Sequence, residues 1–513
     1  MTRSLAATPT TTATDHSLQA RRLGVHTQDQ AIVFMRTDCH VCRSEGLSAR
    51  SQVSVRSDDQ EIVATLYQIS TDVVQLNEVG LSEAAWHRLQ VTDGDRLTVR
   101  HADPVESLAE MRRRIYGHRL DDGSLRSIVS DIVAGRYSDV HLSAFVTACA
   151  ALPLDHNETI ALTRVMFEVG ERLSWPGSLI VDKHSVGGLP GNRTTPIVVA
   201  IVAAHGLTMP KTSSRAITSP AGTADAMETL APVDLDLAAI RRVVERESGC
   251  IVWGGSVRLS PADDVLIRVE RALDLDSEGQ LIASVLSKKI AAGSTHVVLD
   301  LPVGPTAKIR SADTAATLSQ RLVDVAGAFG LQVRVVQSDG SQPVGQGIGP
   351  ALEARDVLAV LQDCPGAPAD LRDRACTLAG ALLELGGDVL SGTGRSLAGQ
   401  ILADGRAWRK FQNICEAQGG MRIPAEAAHQ HPLLVARSGR IVRIDNRKLA
   451  KLAKLAGAPD SKAAGVHMEC KLGHQVQAGQ PFCVVHAETR GELEYALDYA
   501  AAHLDIFEVS ADE

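Results

Sequence analysis

The fold class follows from one stretch, "GSLIVDKHSVGGLPGNRTTPIVVAIVAA", which spans residues 177–204. Its apolar start predicts a strand that runs into a polar, glycine-rich loop. A second apolar run, at 196–205, fits either a helix or a strand. The polar residues of the loop would lie beyond the end of the strand, where ligands gather in open α/β sheets.

Two later stretches repeat this order. "THVVLDLPVG" (295–304) predicts a buried strand that ends in a Pro-Gly loop, and "LQVRVVQSDG" (331–340) predicts another strand. The segment between them, 312–330, has the apolar spacing of a helix. Strands that alternate with helices indicate a parallel sheet.

The rest of the chain divides by composition and periodicity. "QEIVATLYQIS" and "DRLTVRHA" are rich in β-forming residues, whereas "NETIALTRVMFEVGERL" is helical in its spacing. We therefore predict a multidomain α/β and α+β protein. Its parts are a disordered tail (1–25), a small N-terminal β-rich domain (26–103), a helical domain (104–177), a parallel-sheet α/β domain (178–425, with helices returning to the helical domain) and a C-terminal α+β domain (426–513).

The composition excludes several classes of protein. A chain of 513 residues is too long for one core and predicts three or four domains. The net charge of −9 and the 3% aromatic content argue against a nucleic-acid partner, which needs a basic surface or stacking aromatics. No apolar run is long enough to span a bilayer, and the N-terminus lacks an apolar signal segment. These features predict a cytoplasmic protein with no membrane partner.

The only close pair among the nine cysteines is Cys39 and Cys42, in "TDCHVC". A single CxxC can be half of a zinc site or a redox pair. No second CxxC or HxxxH follows nearby, so structural thiols are the other interpretation.

The loop that follows the first strand suits an anion. Its glycines allow backbone N–H groups to approach a ligand closely, and Lys183 supplies a point charge. Hydroxyls are supplied by Ser185, Thr194 and Thr195. A glycine-rich turn with solvated polar residues would have the same composition, so this stretch alone does not choose between the two interpretations.

Two other segments have polar clusters. Residues 210–228 combine many hydroxyls with Lys211 and Arg215 ahead of a helix, which suits an oxyanion, although a capped loop would look similar. In "QLIASVLSKK", Ser284 and Lys288 lie on one helical face. This face is either part of a ligand site or a polar stripe exposed to solvent. The "VGQGIG" run at 344–349 is only a weak dinucleotide signal and predicts a tight turn before a helix.

Three motifs, "DKHSVGG", "SSRAITSPAGT" and "ASVLSKK", resemble in their order the thymidine and pyrimidine-nucleoside phosphorylase family. The additional N-terminal β-domain and the residues of the second motif are similar to those of the family's long branch. That branch includes the archaeal AMP phosphorylases and bacterial proteins called "putative thymidine phosphorylase".

The resemblance implies a pentosyltransferase. In the thymidine phosphorylase reaction, thymidine and phosphate give thymine and 2-deoxyribose 1-phosphate. One alternative is an AMP or other nucleoside 5′-monophosphate phosphorylase that gives ribose 1,5-bisphosphate, and another is a non-catalytic nucleotide-binding protein. The resemblance implies that inorganic phosphate is a co-substrate and that the protein has no cofactor and no metal site. It also implies a homodimer or larger homo-oligomer.

The resemblance also implies roles for individual residues. Phosphate would be held by Lys183, Ser185, Thr195, Ser213 and Thr223. The catalytic residues would be His184, Arg268 and Lys288, with Asp276 matching the proton donor of the AMP phosphorylases. The substrate-binding positions would be Gly188, Ser214, Arg215, Ala216, Ile217, Thr218, Ser219, Thr223, Ser284, Lys288 and Lys308. A monophosphate substrate would place its second phosphate near Ser214, Arg215, Thr218 or Ser219.

Overall fold

The computed structural model describes residues 17–216, 219–275 and 277–510. Its contacts divide the chain into two compact units. The first unit ends at Leu152 and also takes in Val265–Leu275. The second takes in Pro153–Asp264 and the residues after Leu275.

The first unit begins with a closed six-stranded barrel, in the order β1-β5-β2-β4-β3-β6. Its strands are β1 (Ser17–Arg22), β2 (Ile32–Arg36), β3 (Gln52–Arg56), β4 (Glu61–Ile69), β5 (Glu78–Leu81) and β6 (Arg96–His101), and its helices are α1 (His40–Ser44) and α2 (Glu83–Leu89). The prediction of a tail over 1–25 is wrong for β1. Leu18 and Ala20 alternate into the barrel core, and the β1 backbone pairs with β5 and β6.

Cys39 and Cys42 lie at the start of α1, and both are buried. The Cys39 sulfur caps this helix by accepting a hydrogen bond from the Cys42 backbone N–H, at 3.2 Å. The hydrogen bond between the two thiols lowers the pKa of Cys39 and raises that of Cys42. All nine cysteines are free thiols. Both interpretations of this pair, structural thiols and a metal or redox site, stay predictions.

Four helices follow: α3 (Leu108–Ile115), α4 (Asp122–Val133), α5 (Asp139–Ala151) and α6 (His156–Glu168). Asp121, Ser138 and Asp155 cap the last three, because each side chain accepts a backbone N–H from the first turn. α3, α4 and α5 belong to the first unit, whereas α6 belongs to the second. The domain boundaries expected near residues 103, 177 and 425 stay proposals.

The second unit contains the predicted parallel sheet. Its elements are β7 (Val181–Ser185), α7 (Thr194–His205), β8 (Met209–Ser213), α8 (Thr223–Glu228), α9 (Leu237–Glu247), β9 (Gly249–Trp253) with a 3₁₀ turn at Gly254–Val257, α10 (Pro261–Leu273, which continues into the first unit), α11 (Glu278–Ala291), β10 (His296–Val303), α12 (Ala312–Gly327) and β11 (Gln332–Asp339). Strands β11, β10 and β7 pair in parallel, as do β8 and β9. The run at 196–205 is helical, and α7 is buried along most of its length.

Helices return after β11, as the sequence predicts. They are α13 (Pro350–Leu361), α14 (Ala369–Leu385), α15 (Gly394–Ala403) and α16 (Arg406–Gln418), preceded by β12 (Gly347–Ile348). α14 and α16 pack against α7. Apolar residues of these helices, of α7 and of the sheet share one core, in which Ile201, Leu382 and Phe411 are fully buried.

The C-terminal part is α+β. Its strands are β13 (His429–Leu434), β14 (Gly439–Ile444), β15 (Gly465–Met468), β16 (Gln475–Val476), β17 (Pro481–Ala487) and β18 (Phe507–Ser510), and its helices are α17 (Asn446–Leu455) and α18 (Arg490–Ala502), with a 3₁₀ turn at Leu504–Ile506. β12 pairs with β15, which places the turn before α13 against this sheet. The multidomain α/β and α+β fold class is therefore confirmed.

Gly191 holds the loop after β7 in place. Its φ of +68° lies in the left-handed region, and a Cβ there would come 2.1 Å from the carbonyl oxygen of Val344. We expect Gly191→Ala to lower the free energy of unfolding by about 2 kcal/mol or more, measured as a lower midpoint in scanning calorimetry.

Gly187→Ala is the matched control, since a Cβ at Gly187 meets nothing within 4 Å. Its midpoint should equal or slightly exceed that of the unmodified protein. Equal losses in both variants would contradict the importance of the close contact at Gly191.

Candidate active site

The carboxyl edge of the β11-β10-β7 sheet carries several of the residues that the motifs indicate. β7 and β10 run in parallel, with Ser185 opposite Asp300, so the loops that leave the two strands start from the same edge. Gly188 and Lys308 come from these two loops, and a Cβ on Gly188 would lie 3.3 Å from the Lys308 backbone nitrogen. Two of the predicted substrate-binding positions are therefore neighbours.

Lys183 is the buried cation of this edge. Its side chain is only 2% exposed, and its Nζ donates to Thr194 Oγ1 at 2.8 Å. Burial lowers the pKa of Lys183 to about 8, while the carboxylate of Asp300 favours the charged form. The hydroxyl at the start of α7 that meets this ammonium is Thr194, whereas the predicted Thr195 is buried in the same turn.

Ser185 lies beside a buried carboxylate that the motif does not reveal. Its Oγ donates to Asp300 Oδ2 at 2.8 Å, and Asn192 Nδ2 donates to the same Oγ at 3.3 Å. Ser338 donates to the other oxygen of Asp300. Asp300 therefore fixes the orientation of Ser185 and also lies near the charge of Lys183.

Two predicted phosphate-binding hydroxyls lie on neighbouring elements. Ser213 ends β8; its Oγ is buried and has no hydrogen-bond partner among the described residues. Thr223 begins α8, and its Oγ1 accepts a hydrogen bond from Arg193 Nη1 at 2.6 Å. A buried hydroxyl without a partner is costly, so Ser213 suits a ligand with an oxygen at that point.

The loop after β8 is tied together by carboxylates. Arg215 donates to Glu228 at 2.7 and 2.8 Å and to Asp225 at 3.3 Å. Asp225 Oδ2 also accepts the backbone N–H of Ala216 at 2.6 Å. The backbone carbonyl of Ser214 accepts the N–H of Ala224, and the Ser219 hydroxyl donates to the backbone of Ala221. Ile217 and Thr218 lie outside the described residues.

A buried ion cluster joins β7, β8 and α11. The carboxylate of Asp182 is fully buried; Lys289 Nζ lies 2.7 Å from it and Lys211 Nζ 3.3 Å. Burial alone would raise the pKa of Asp182, but Lys211 and Lys289 hold it below its usual value. Burial also lowers the pKa of Lys289. The cluster ties together the three elements that carry these motifs.

His184 follows Asp182 by two residues along β7, and Lys288 precedes Lys289 on α11. Burial lowers the pKa of His184 well below its ordinary value, and the charges of Lys289, Lys211 and Lys288 lower it further. His184 is therefore a neutral imidazole at pH 7. Lys288 Nζ lies 2.6 Å from Asp263 Oδ2, and Ser284 is one helical turn earlier on the same face of α11.

Two further residues predicted to be catalytic are Arg268 and Asp276. Arg268 is in the part of α10 that belongs to the first unit, where its Nη2 donates to Asp139 Oδ1 at 2.9 Å. Asp276 lies outside the described residues. Their predicted roles therefore depend on the resemblance alone.

The geometry adds four residues that the sequence analysis did not single out for the site: Asp182, Arg193, Lys289 and Asp300. Asp182 adjoins Lys183 in the first motif and Lys289 adjoins Lys288 in the third, so the position of each was visible in the sequence but its partner was not. Arg193 and Asp300 carried no signal. Arg193 joins Lys183 and the hydroxyls as a donor that can help to bind and orient an anion, whereas the carboxylates of Asp182 and Asp300 pair with the donors around them.

Within residues 17–216, 219–275 and 277–510, no helix has both the length and the apolar character that a bilayer crossing needs. The same part of the chain contains no group of three or more His, Cys, Asp or Glu side chains placed to hold a metal ion.

Family models match three parts of the chain. Residues 177–408 match the a/b domain of a glycosyl transferase family, and residues 111–170 match the helical bundle domain of that family. Residues 440–507 match the pyrimidine nucleoside phosphorylase C-terminal domain. Among solved structures, anthranilate phosphoribosyltransferase from Saccharomyces cerevisiae shares the fold, with a TM-score of 0.50 and 14% identity over 61% of this chain and 98% of that one.

Similar proteins extend over almost the whole chain. One from Chelativorans sp. (strain BNC1), named "Putative thymidine phosphorylase", is 66% identical over 96% of this chain and 97% of its own length. A protein of the same name from Sphingopyxis alaskensis is 63% identical over 96% of both chains. One from Legionella pneumophila is 55% identical over 96% of this chain and 95% of its own. The chain therefore belongs to the thymidine phosphorylase family and is a pentosyltransferase of the nucleoside phosphorylase type.

Proposed function

We propose that this protein phosphorolyses thymidine, so that thymidine and inorganic phosphate give thymine and 2-deoxyribose 1-phosphate. The observation that carries the proposal is the buried ammonium of Lys183 at the carboxyl edge of the sheet. Such a cation suits an anionic ligand, and the unpartnered hydroxyl of Ser213 supplies a second contact. The names of the similar proteins support the same reaction.

Phosphate is the nucleophile in the proposed reaction. One of its oxygens attacks C1′ of the sugar as the bond from C1′ to the base nitrogen breaks, and the electrons of that bond leave with the base. Most of the rate gain comes from holding phosphate against C1′ in the right orientation. We assign that task to Lys183, Thr195, Ser213 and Thr223, and we add Thr194 because its hydroxyl contacts Lys183. Ser185 would join them by turning its hydroxyl from Asp300 to the phosphate.

The departing base needs a proton or positive charge. Lys288 and Ser284 are proposed to face it, and a cation there would offset the developing negative charge. The role of Arg268 rests on the resemblance alone. His184 acts as a neutral hydrogen-bonding group, because its lowered pKa leaves it uncharged at neutral pH. Proton donation is proposed for Asp276, by its match to the AMP phosphorylase branch.

A nucleoside fits the loop after β8 better than a nucleoside monophosphate. Arg215 and Lys462 are the cations that a second phosphate would meet there, but both are already paired with Glu228 and Asp225. The hydrogen bond from Arg215 to Glu228 lowers the pKa of that carboxyl to about 2, so the pair is intact at neutral pH. A 5′-phosphate would have to displace it.

Membership of an enzyme family also disfavours a non-catalytic nucleotide-binding protein.

The proposed reaction uses inorganic phosphate as a co-substrate and needs no cofactor, as the resemblance implies. A homodimer or larger assembly, a cytoplasmic location, and the lack of nucleic-acid and membrane partners stay predictions of the sequence.

The substrate is tested with thymidine, uridine, AMP, CMP and UMP, each with and without phosphate, by following release of the free base. We expect phosphate-dependent release of thymine from thymidine, and slower release or none from the monophosphates, because Arg215 is already paired. Release from AMP without any release from thymidine would establish the monophosphate alternative instead.

Lys183→Ala removes the buried cation and should lower kcat/KM for phosphorolysis by about 10²-fold or more. The circular dichroism spectrum should stay unchanged, since the backbone of β7 is held by its pairing with β10. Lys410→Ala is the matched control and should keep full activity. It also removes a paired lysine, since Lys410 of α16 lies 3.1 Å from Glu247. Full activity of Lys183→Ala would show that the ammonium has no part in the reaction.

Alkaline pH should weaken the use of phosphate. Lys183 has a pKa of about 8, so its ammonium is charged below that pH and loses its proton above it. We expect kcat/KM for phosphate to fall above pH 8, at saturating nucleoside. An arginine at this position stays charged across this pH range. The kcat/KM of Lys183→Arg for phosphate, whatever its size, should therefore not fall above pH 8. A flat profile to pH 10 in the unmodified protein would refute the assignment.

A further inference from the structure

Arg193 connects three elements around the proposed phosphate site. It precedes α7, and only 9% of its surface is exposed. Its Nε donates to Glu353 Oε2 at 2.7 Å, its Nη1 to Thr223 Oγ1 at 2.6 Å, and its Nη2 to the carbonyl oxygen of Ala221 at 2.9 Å. One guanidinium thus joins the start of α7 to the start of α8 and to α13.

The bond to Thr223 determines what that hydroxyl can do. A threonine hydroxyl has one proton to donate and two lone pairs that can accept. Arg193 can only donate, so it takes up a lone pair of Thr223 Oγ1 and leaves the hydroxyl proton for another acceptor. Lys183 makes the same kind of bond to Thr194. Both hydroxyls are therefore set to donate, which is what an anion requires.

The guanidinium is held in this orientation from its far side. Glu353 is 1% exposed, and its Oε1 accepts the backbone N–H of Gly349 at 3.2 Å while its Oε2 accepts from Arg193. Arg193 Nη2 lies 2.6 Å from that same oxygen. Two fixed contacts on one planar group leave Nη1 a single direction, towards Thr223.

We propose that Arg193 is a positioning residue for the phosphate site, because it orients Thr223 so that the Thr223 hydroxyl donates its proton to bound inorganic phosphate. The inference deepens the proposed function only in its use of phosphate and does not depend on which nucleoside reacts. A tie that merely holds α7 and α8 together would stabilise the fold without acting through the Thr223 hydroxyl.

A double-mutant cycle separates these two roles. Binding of inorganic phosphate to the full-length protein is measured by titration calorimetry for the unmodified chain, Arg193→Gln, Thr223→Val and the double variant. Each single change should weaken phosphate binding about tenfold or more, as expected for a lost charge-assisted or phosphate hydrogen bond. The double variant should bind phosphate no more weakly than Thr223→Val, because Arg193 acts through the hydroxyl that is already gone.

Three further variants guard the interpretation. Arg193→Lys keeps the charge but not the planar fork, so it should weaken phosphate binding nearly as much as Arg193→Gln; it also serves in the cycle if the Gln variant does not fold. In a Thr223→Ser background, which keeps a hydroxyl, the effect of Arg193→Gln should persist. Arg334→Gln removes an ion pair with Glu384 (2.9 Å) in the same unit and should leave phosphate affinity unchanged.

Two results would overturn the proposal while phosphate still binds the unmodified chain: full affinity in Arg193→Gln, or losses that multiply in the double variant. Absence of phosphate binding to the unmodified chain would overturn both this proposal and the proposed function. Phosphate binding with a non-additive cycle, but without base release from any nucleoside, would uphold Arg193 and reject the proposed reaction.

Discussion

The site depends on one buried carboxylate. Asp182 lies inside the fold between Lys289 of α11 and Lys211 of β8, and a carboxylate there without its partners would cost several kcal/mol. The next residue along β7 is Lys183, the next one back along α11 is Lys288, and Ser213 follows Lys211 by two residues. Lys183, Lys288 and Ser213 are thus within two residues of a member of the ion cluster.

Neighbouring charges also determine which hydroxyls at the sheet edge can donate a hydrogen bond to a ligand. Lys183 and Arg193 donate to threonines, whereas Ser185 donates to Asp300. Cations therefore leave Thr194 and Thr223 with protons to give, and the carboxylate of Asp300 keeps Lys183 charged despite its burial. The arrangement favours an anion held by donors in a dry environment, where such hydrogen bonds are strongest.

Local patterns in the sequence were enough for the parallel sheet, because its apolar strands and the helices between them have distinct periods. The motif residues Lys183, Ser185 and Thr223 were also visible, since they lie within short runs. The partners that orient them were not, because Asp182 meets Lys289 across 107 residues and Arg193 meets Glu353 across 160. Strand β1 was missed because only Leu18 and Ala20 in a polar stretch face the barrel.

A crystal structure of the protein with bound inorganic phosphate would test the central claim most directly. The account predicts one phosphate at the carboxyl edge of the sheet, within hydrogen-bonding distance of Lys183 Nζ, Ser213 Oγ and Thr223 Oγ1. Phosphate bound elsewhere, with this edge free of it at a concentration that supports turnover, would contradict the account.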